Sequence, residues 1–435
     1  MFNKKYEDLG VLVPEILLPK KGIDFSKWAI VACDQYTSQP DYWGKVEKIV
    51  GDNPSTYRLI LPEIFLEVPD KMERVNKIHS SMKKYLEQNI FETKKGAVYL
   101  EREVAGKIRP GLMVALDLEK YDFNVGSQTL IRATEGTILS RIPPRVEIRD
   151  GAPLESPHIM ILIDDPEKTV IEPLKIYKNK EALYDFDLML GGGHIAGWLV
   201  EENELDSSLQ ALNKLADPAL FKNKYNTKEN HGVLLFAMGD GNHSLATAKV
   251  VWENHKKDLP ADHPLRYALV EIVNLYSEAL VFEPIHRVIF GLKKDIMMSA
   301  KEYWPELIIE QVADKIAMEK IIKENTGKQK CGFVSQEGFF VWTFINPTSQ
   351  LTVGTLQPFL DEFIKVGAEK IDYIHGTEEI CSMGKIADNC GFFLPSMSKN
   401  DLFRTVIFDG ALPRKTFSMG EAHEKRYYLE CRKIL

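Results

Sequence analysis

The stretch FAMGDGNHSLATAK, residues 236–249, holds the residue types best suited to chemistry. Gly239 and Gly241 bracket Asp240, and Asn242, His243 and Ser244 follow before an alanine-rich helical pattern. A strand that ends in such a turn and enters a helix aims unbonded N–H groups outward. The positive end of that helix favours a phosphate or carboxylate. The glycines permit positive φ or close approach of a ligand. Asp240 suits a base or a group that orients a magnesium-bound ligand, and His243 suits a phosphate donor or a proton shuttle. The same spacing also suits a plain joint, in which Asn242 or Ser244 caps the helix and the glycines only fit the turn. The turn is not a P-loop, because it lacks G-x-x-x-x-G-K-[ST]. It is not a dinucleotide fingerprint either, because Ser244 stands at the third glycine position.

Such a turn needs a sheet behind it. HGVLLFAM leads into it, and further strands are predicted at AVYLEREV and GLMVALDLEKYDF, joined through the turn Gly106–Gly111, at HIMILIDD, and after the three glycines 191–193. Met72, Val75, Ile78, Met82 and Leu86 recur at helical spacing in PDKMERVNKIHSSMKKYLEQNIF. ELDSSLQALNKLADPALF reads as a short helix capped by Asp206 or Ser207. Pro143-Pro144 is expected to break any helix in its segment. From about Lys293, two helical patterns precede a hairpin at KCGFVSQEGFFVWTFI. This order predicts an α+β fold: a mixed-sheet core over 1–292, subdivided near 125–130, a small α+β lobe over 293–366, and a segment 367–435 that returns to the core.

Composition narrows the classes. The 435 residues carry 63 acidic against 55 basic side chains, a formal net charge of -8. That balance disfavours DNA binding through phosphate neutralisation, so no nucleic acid is expected as a partner. No window approaches 18 consecutive apolar residues, so no membrane span is expected. The N-terminal text has no apolar region followed by a small-residue cleavage site, and the five cysteines are scattered, with no C-x-x-C pair. A cytoplasmic protein without disulfides or a structural zinc is the expectation. H-x-x-x-H and H-x-H are absent, and Asp164-Asp165 read as a turn or cap rather than a magnesium site. No G-x-S-x-G elbow is present. GGGHIAG, residues 191–197, leads into strand rather than helix text, so a loop or bulge is the plainer reading, with His194 as a candidate ligand contact.

MGDGNHSLATAK resembles the A-D-G-H-H-R-Y-x-A-A signature of the domain of unknown function 1015 family. FEPIHRVI resembles that family's P-x-H-R-[LIV]-[LIV] element, HIAGWLVEENE its H-x-[LI]-W strand, and DGALPRKTFSM its P-x-K-[ST]-T-x-F element. The resemblance covers most of the chain from about Ile131. It departs at two positions, where Asn242 replaces the first histidine and Ser244 the arginine. The D-G-[HN]-H box is also similar to that of the ParB and sulfiredoxin superfamily, which includes kinases acting on free serine and cradles nucleotide phosphates at a helix start. The resemblance implies that Gly241, Asn242, His243 and Ser244 contact phosphate and that Asp240 is catalytic or orients a metal.

Phosphoryl transfer also wants cations and a second acid. Arg132, Arg141 and Arg145 follow strand text, with Glu135 between Thr134 and Thr137 as the second candidate acid. His286, Arg287, Lys415 and Thr416 fall inside the family elements. The implied function is binding of a nucleotide or phosphorylated small metabolite, with magnesium, and phosphotransfer to a small hydroxylated metabolite such as serine. A regulatory binding protein and a metal-dependent phosphatase or other hydrolase are the alternatives, and a homo-oligomer is compatible with either.

Overall fold

In the computed structural model, which describes residues 6–228, 230–324 and 327–435, the apolar runs become strands of one large sheet. In chain order these are β1 (Val11–Leu12), β2 (Ala97–Val104), β3 (Lys107–Asp117), β4 (Tyr121–Asp122), β5 (Ile131–Arg132), β6 (Met160–Ile163), β7 (Tyr184–Asp187), β8 (His194–Val200), β9 (Phe236–Asp240) and β10 (Tyr267–Asn274). Across the sheet they run β7-β8-β2-β3-β10-β6-β9-β5-β4, with β1 paired to β3. β6 and β10 lie parallel at the centre, and β6 meets β9 antiparallel with Met160 opposite Asp240. Both central strands read as near-continuous apolar runs because both of their faces are covered. The register of β6 on β9 matters most for function: it sets the residues just before Met160 beside the turn that follows Asp240.

The fold is α+β, and several local expectations are met. The helix Lys71–Glu87 buries Val75, Ile78 and Met82, although Met72 is exposed and Tyr85 fills the fourth buried position. The β2–β3 hairpin turns at Ala105 and Gly106, both at positive φ, and β3 begins at Lys107 rather than after Gly111. The helical text after Leu205 is two helices and not one, Asp206–Leu215 and Pro218–Tyr225; Leu205 rather than Asp206 or Ser207 stands at the first cap, and Asp217 caps the second through its carboxylate. Pro143-Pro144 does not break a helix. It opens one, α1 (Pro143–Arg149), because a proline in the first turn loses no intrahelical bond and its fixed φ already suits the helix. α1 packs against α2 (Asn242–His255), the helix that follows β9.

The chain divides into two compact units. Residues up to Leu280 join Glu421–Leu435 in the first, and Val281–Gly420 form the second. Within the first unit, Tyr427–Tyr428 pair with Ile30–Val31, and Arg432–Lys433 pair with Leu154–Glu155. Tyr427, Tyr428, Leu429, Cys431 and Ile434 enter the core beside Trp28 and Val98. Arg426 is buried with them. It holds the Glu271 carboxylate of β10 at 2.6 Å and that of Glu430 at 2.5 Å. Gly111 has no side chain because the Glu271 carboxylate occupies that space: a Cβ there would lie 2.5 Å from Oε1.

The second unit is built on an antiparallel sheet of β11 (His286–Phe290), β12 (Ile308–Val312), β13 (Gln329–Ser335), β14 (Gly338–Phe344), β15 (Lys370–Ile374) and β16 (Cys390–Phe393). Their order is β12-β14-β13-β16-β11-β15. Val288, Val334, Val341 and Phe393 pack with Met318 and Ile380 from its helices. The short strands Phe282–Pro284 and Phe417–Met419 pair at its two ends. This division differs from a lobe confined to 293–366 and a returning segment from 367. Such a lobe would lack β11, β15 and β16, half of the sheet, and only Glu421–Leu435 belongs with the first unit.

Candidate functional site

β9 delivers the backbone to Asp240, Gly241 turns it at φ 79 and ψ 28, and α2 starts at Asn242. Glycine is required here twice over. The left-handed conformation disfavours any side chain, and a Cβ would meet Ile159 Cα at 3.1 Å. The backbone N–H groups of Ser244 and Leu245 return to the Gly241 carbonyl at 3.0 and 3.1 Å. No side chain caps the helix, so neither Asn242 nor Ser244 plays the capping role that a plain joint would give it. Two buried polar atoms of the turn, Asn242 Oδ1 and His243 Nε2, have no partner among the described residues. Asp240 accepts the Gly241 N–H at 2.9 Å and faces the ammonium of Lys425 at 3.4 Å.

Neighbouring segments complete the surroundings. The Thr134 hydroxyl donates to the Met238 carbonyl at 2.9 Å, which fixes the run Thr134–Thr137 alongside β9. Glu135 is half-buried in that run, and the Thr137 hydroxyl has no partner among the described residues. His158, brought in by the β6 register, has its Cδ2 3.6 Å from where a Gly241 Cβ would be. The Tyr428 hydroxyl accepts the Cys33 N–H at 3.2 Å and shares a hydrogen bond with His158 Nδ1 at 2.8 Å. His158 Nε2 lies 4.0 Å from the Asp34 carboxylate. Burial acts to raise the Asp34 carboxyl. His158, the Gln35 side chain and Lys425 outweigh it and hold Asp34 below its ordinary value.

Cations line the other side. Arg145 on α1 pairs with Glu63 and donates to the Arg141 carbonyl at 2.6 Å, while Arg141 itself is exposed. Burial, then Arg145 and Arg141, push His243 down to about 4 against the opposing effect of Asp34. His243 is therefore a neutral imidazole at pH 7, able to donate from one nitrogen and accept at the other. Among the described residues no group of three or more His, Cys, Asp or Glu side chains is arranged to hold a metal ion by itself.

Within the first unit, Arg132 and His194 lie away from the turn. Arg132 is buried and donates to the Thr129 and Gly232 carbonyls at 2.8 and 2.5 Å, at the opposite end of β5 and β9 from the turn. His194 sits on β8, five strand positions from β9 and so about 24 Å across the sheet. Its two nitrogens bond Asp187 and Asp185 at 2.8 Å each. Burial acts to lower its pKa, and the bonds to Asp187 and Asp185 outweigh that and raise it. His286, Arg287, Lys415 and Thr416 belong to the second unit. There His286 Nδ1 accepts the Leu394 N–H at 3.1 Å, and Arg287 donates to Gln357 and to the carbonyls of Ile285 and Arg414. The Thr416 hydroxyl donates to the Pro413 carbonyl at 2.6 Å, and Lys415, at φ 56, is exposed. Asp34, His158, Tyr428 and Lys425 are the residues that reading the sequence missed. Only Asp34 left a signal, as the acid that ends the apolar run AIVAC.

The family described as "Protein of unknown function (DUF1015)" matches residues 17–363. Among solved structures, free serine kinase in complex with AMP is similar at 12% identity and a TM-score of 0.38, over 74% of this chain and 92% of that one. A conserved hypothetical protein from Pyrococcus furiosus is similar at 11% identity and 0.35, over 72% and 93%. SbnI with C-terminal truncation from Staphylococcus aureus is similar at 6% identity and 0.34, over 71% and 82%. No curated protein matches the chain.

Proposed function

The chain belongs to the DUF1015 family, and we propose that its turn Asp240–Ser244 binds the phosphate of a nucleotide or phosphorylated small metabolite for transfer to a small hydroxylated acceptor such as serine. One observation carries the reading. An uncapped helix start presents a buried, unpartnered imidazole nitrogen, His243 Nε2, beside the cations Lys425 and Arg145. An unsatisfied buried polar group costs about 1–3 kcal/mol, so a chain that keeps a ring N–H free at a positive helix end gains when an anion arrives.

Each neighbour has a role in this reading. Gly241 lets the phosphate approach the backbone, and the amides of Asn242 and His243 with the Ser244 hydroxyl hold its oxygens. Lys425 and Arg145 neutralise charge that spreads over the phosphoryl oxygens during transfer. Asp34, ionised and backed by His158 and Tyr428, takes the proton from the acceptor hydroxyl as its oxygen bonds to phosphorus and the leaving phosphate departs. Asp240 is the carboxylate that would hold magnesium together with ligand phosphates, a cation that usually takes one or two protein carboxylates and completes its shell with phosphate and water. Magnesium there would supply further charge neutralisation. A second reading, a binding protein without turnover, is favoured by Ser244 in the place of the signature arginine and by the pairing of Arg145 with Glu63.

The test is a thermal-shift screen with inorganic phosphate, AMP, ADP, ATP and phosphoserine, with and without magnesium, followed by turnover assays on each hit. Phosphotransfer predicts stabilisation by a nucleotide and turnover that falls at least about 100-fold in Asp240→Asn, while the fold is kept. Full activity in that variant removes the role of Asp240. Binding without turnover gives the second reading, and no stabilisation by any phosphate compound ends both.

A further inference from the structure

Beside the first two turns of α2 lies a cavity of about 130 Å³. Leu59, Leu61, Met82, Ile148, Leu154 and Ile159 form its apolar walls, and Ser244 and Thr247, one helical turn apart, form the edge nearest the phosphate turn. Its charged lining residues are already matched. Arg145 pairs with Glu63, and Arg149 pairs with Glu155 at 2.7 Å. Glu155 is further held by Arg432 at 2.7 Å and by the Leu269 N–H at 2.9 Å. Burial pushes the Cys33 thiol up, so this wall is neutral as well. Two buried polar atoms of the lining have no partner among the described residues: the Thr247 hydroxyl, in a residue only 3% exposed, and the Arg149 Nε–H.

We propose that this cavity receives the organic part of a phosphorylated small metabolite, not the nucleoside of a nucleotide: a compact, neutral, largely apolar group of about one ring, with one hydrogen-bonding atom for Thr247. The proposal rests on the reading of the adjacent turn as a phosphate site. Size supports it, since a cavity of about 150 Å³ with aliphatic and aromatic walls stays dry and admits benzene. Charge supports it too. A second ionised group would enter a space whose two arginines and two glutamates are already paired, with nothing to repay its loss of water. Ser244 lies on the border of both regions, at the third position of α2 and in the cavity wall. A phosphate at the helix start and a ring in the cavity can therefore belong to one molecule. The site thus selects a monoester with a small hydrophobic body over one with a charged body.

Isothermal titration of the full chain with inorganic phosphate, methyl phosphate and phenyl phosphate tests this. Burial of one ring corresponds to roughly a 30- to 100-fold gain in affinity, so phenyl phosphate is expected to bind at least about tenfold tighter than inorganic phosphate, with methyl phosphate close to the latter. Ile148→Phe and, independently, Leu61→Phe narrow the cavity and are expected to remove most of the phenyl advantage. Equal affinities for the three compounds overturn the cavity proposal and leave the phosphate site standing. A phenyl advantage that survives in both variants overturns it as well, because the ring then binds elsewhere. Binding of none of the three overturns the phosphate site and the cavity together.

Discussion

Arg426→Met tests how the first unit secures the segment that carries Lys425. The substitution keeps much of the side-chain volume and removes the guanidinium that bridges Glu271 at 2.6 Å and Glu430 at 2.5 Å. Both carboxylates are fully buried, so neither can recover its lost partner from water. Glu271 keeps only Arg109, at 3.4 Å, and Glu430 keeps the Tyr184 hydroxyl at 2.6 Å. Breaking a buried, hydrogen-bonded ion pair by removing one partner costs about 3–5 kcal/mol. For a unit of this size that is a fall of roughly 10 °C in its melting transition. The sign of the pH dependence follows from Glu271. In the native protein, burial acts to raise its carboxyl, and Arg109 and Arg426 outweigh that and hold it below the ordinary value. Without Arg426 burial gains the upper hand and the folded carboxyl titrates above the unfolded one. The variant's deficit should then grow as pH rises and shrink as pH falls through and below 4.5. Thermal melts at pH 5 and 7.5 measure the deficit, and hydrogen exchange in β3 and β10 places it in the first unit. A melting point within about 1 °C of the parent at pH 7.5, or a deficit that shrinks as pH rises, would refute the reasoning.

Two further outcomes are expected. Burial, together with neighbouring arginines, pushes His243 and His286 down to about 4, below the unfolded value near 6.5. Stability should therefore be full above about pH 6.5 and fall as pH drops towards 4, and urea midpoints at pH 4.5 and 7.5 in the parent and in His243→Asn measure the slope and the His243 share of it. Gly241→Ala forces a side chain into a backbone at φ 79 and against Ile159 Cα, at a cost of about 1–2 kcal/mol. It should also abolish any stabilisation by phosphate, which a thermal-shift titration detects.

Local text made some of this architecture legible. The joint of β9 and α2 follows from an apolar run, a Gly-Asp-Gly turn and an alanine-rich helix, and each of these states its own conformation. The helix Lys71–Glu87 follows from periodicity alone. Pro143-Pro144 could be misread because proline breaks a helix from inside and starts one from its first turn, and nothing local decides which. The site was legible only at its centre. Asp34, His158 and Lys425 are brought towards Asp240 and Gly241 by the β6–β9 register and by the pairing of Tyr427–Tyr428 with Ile30–Val31, contacts that span about 80 and nearly 400 residues of the chain. The roles of the arginines were not legible for the opposite reason. A guanidinium such as that of Arg132 or Arg287 gives donors to carbonyls inside the fold, and neither its charge nor its place beside strand text shows that commitment.

The return of Glu421–Leu435 to the first unit has a consequence in time. Lys425, which faces Asp240, follows the whole of the second unit in the chain. A ribosome that has finished β9, α2 and β10 has made the turn but not the ammonium that answers it, nor Tyr428, which orients His158. About 150 more residues must be made first, roughly 8–30 s at 5–20 residues per second. Until then the nascent first unit carries its acids without their counter-charge. Competence to bind should thus appear late and at once, when the strand beside Lys425 is made rather than when the sheet is.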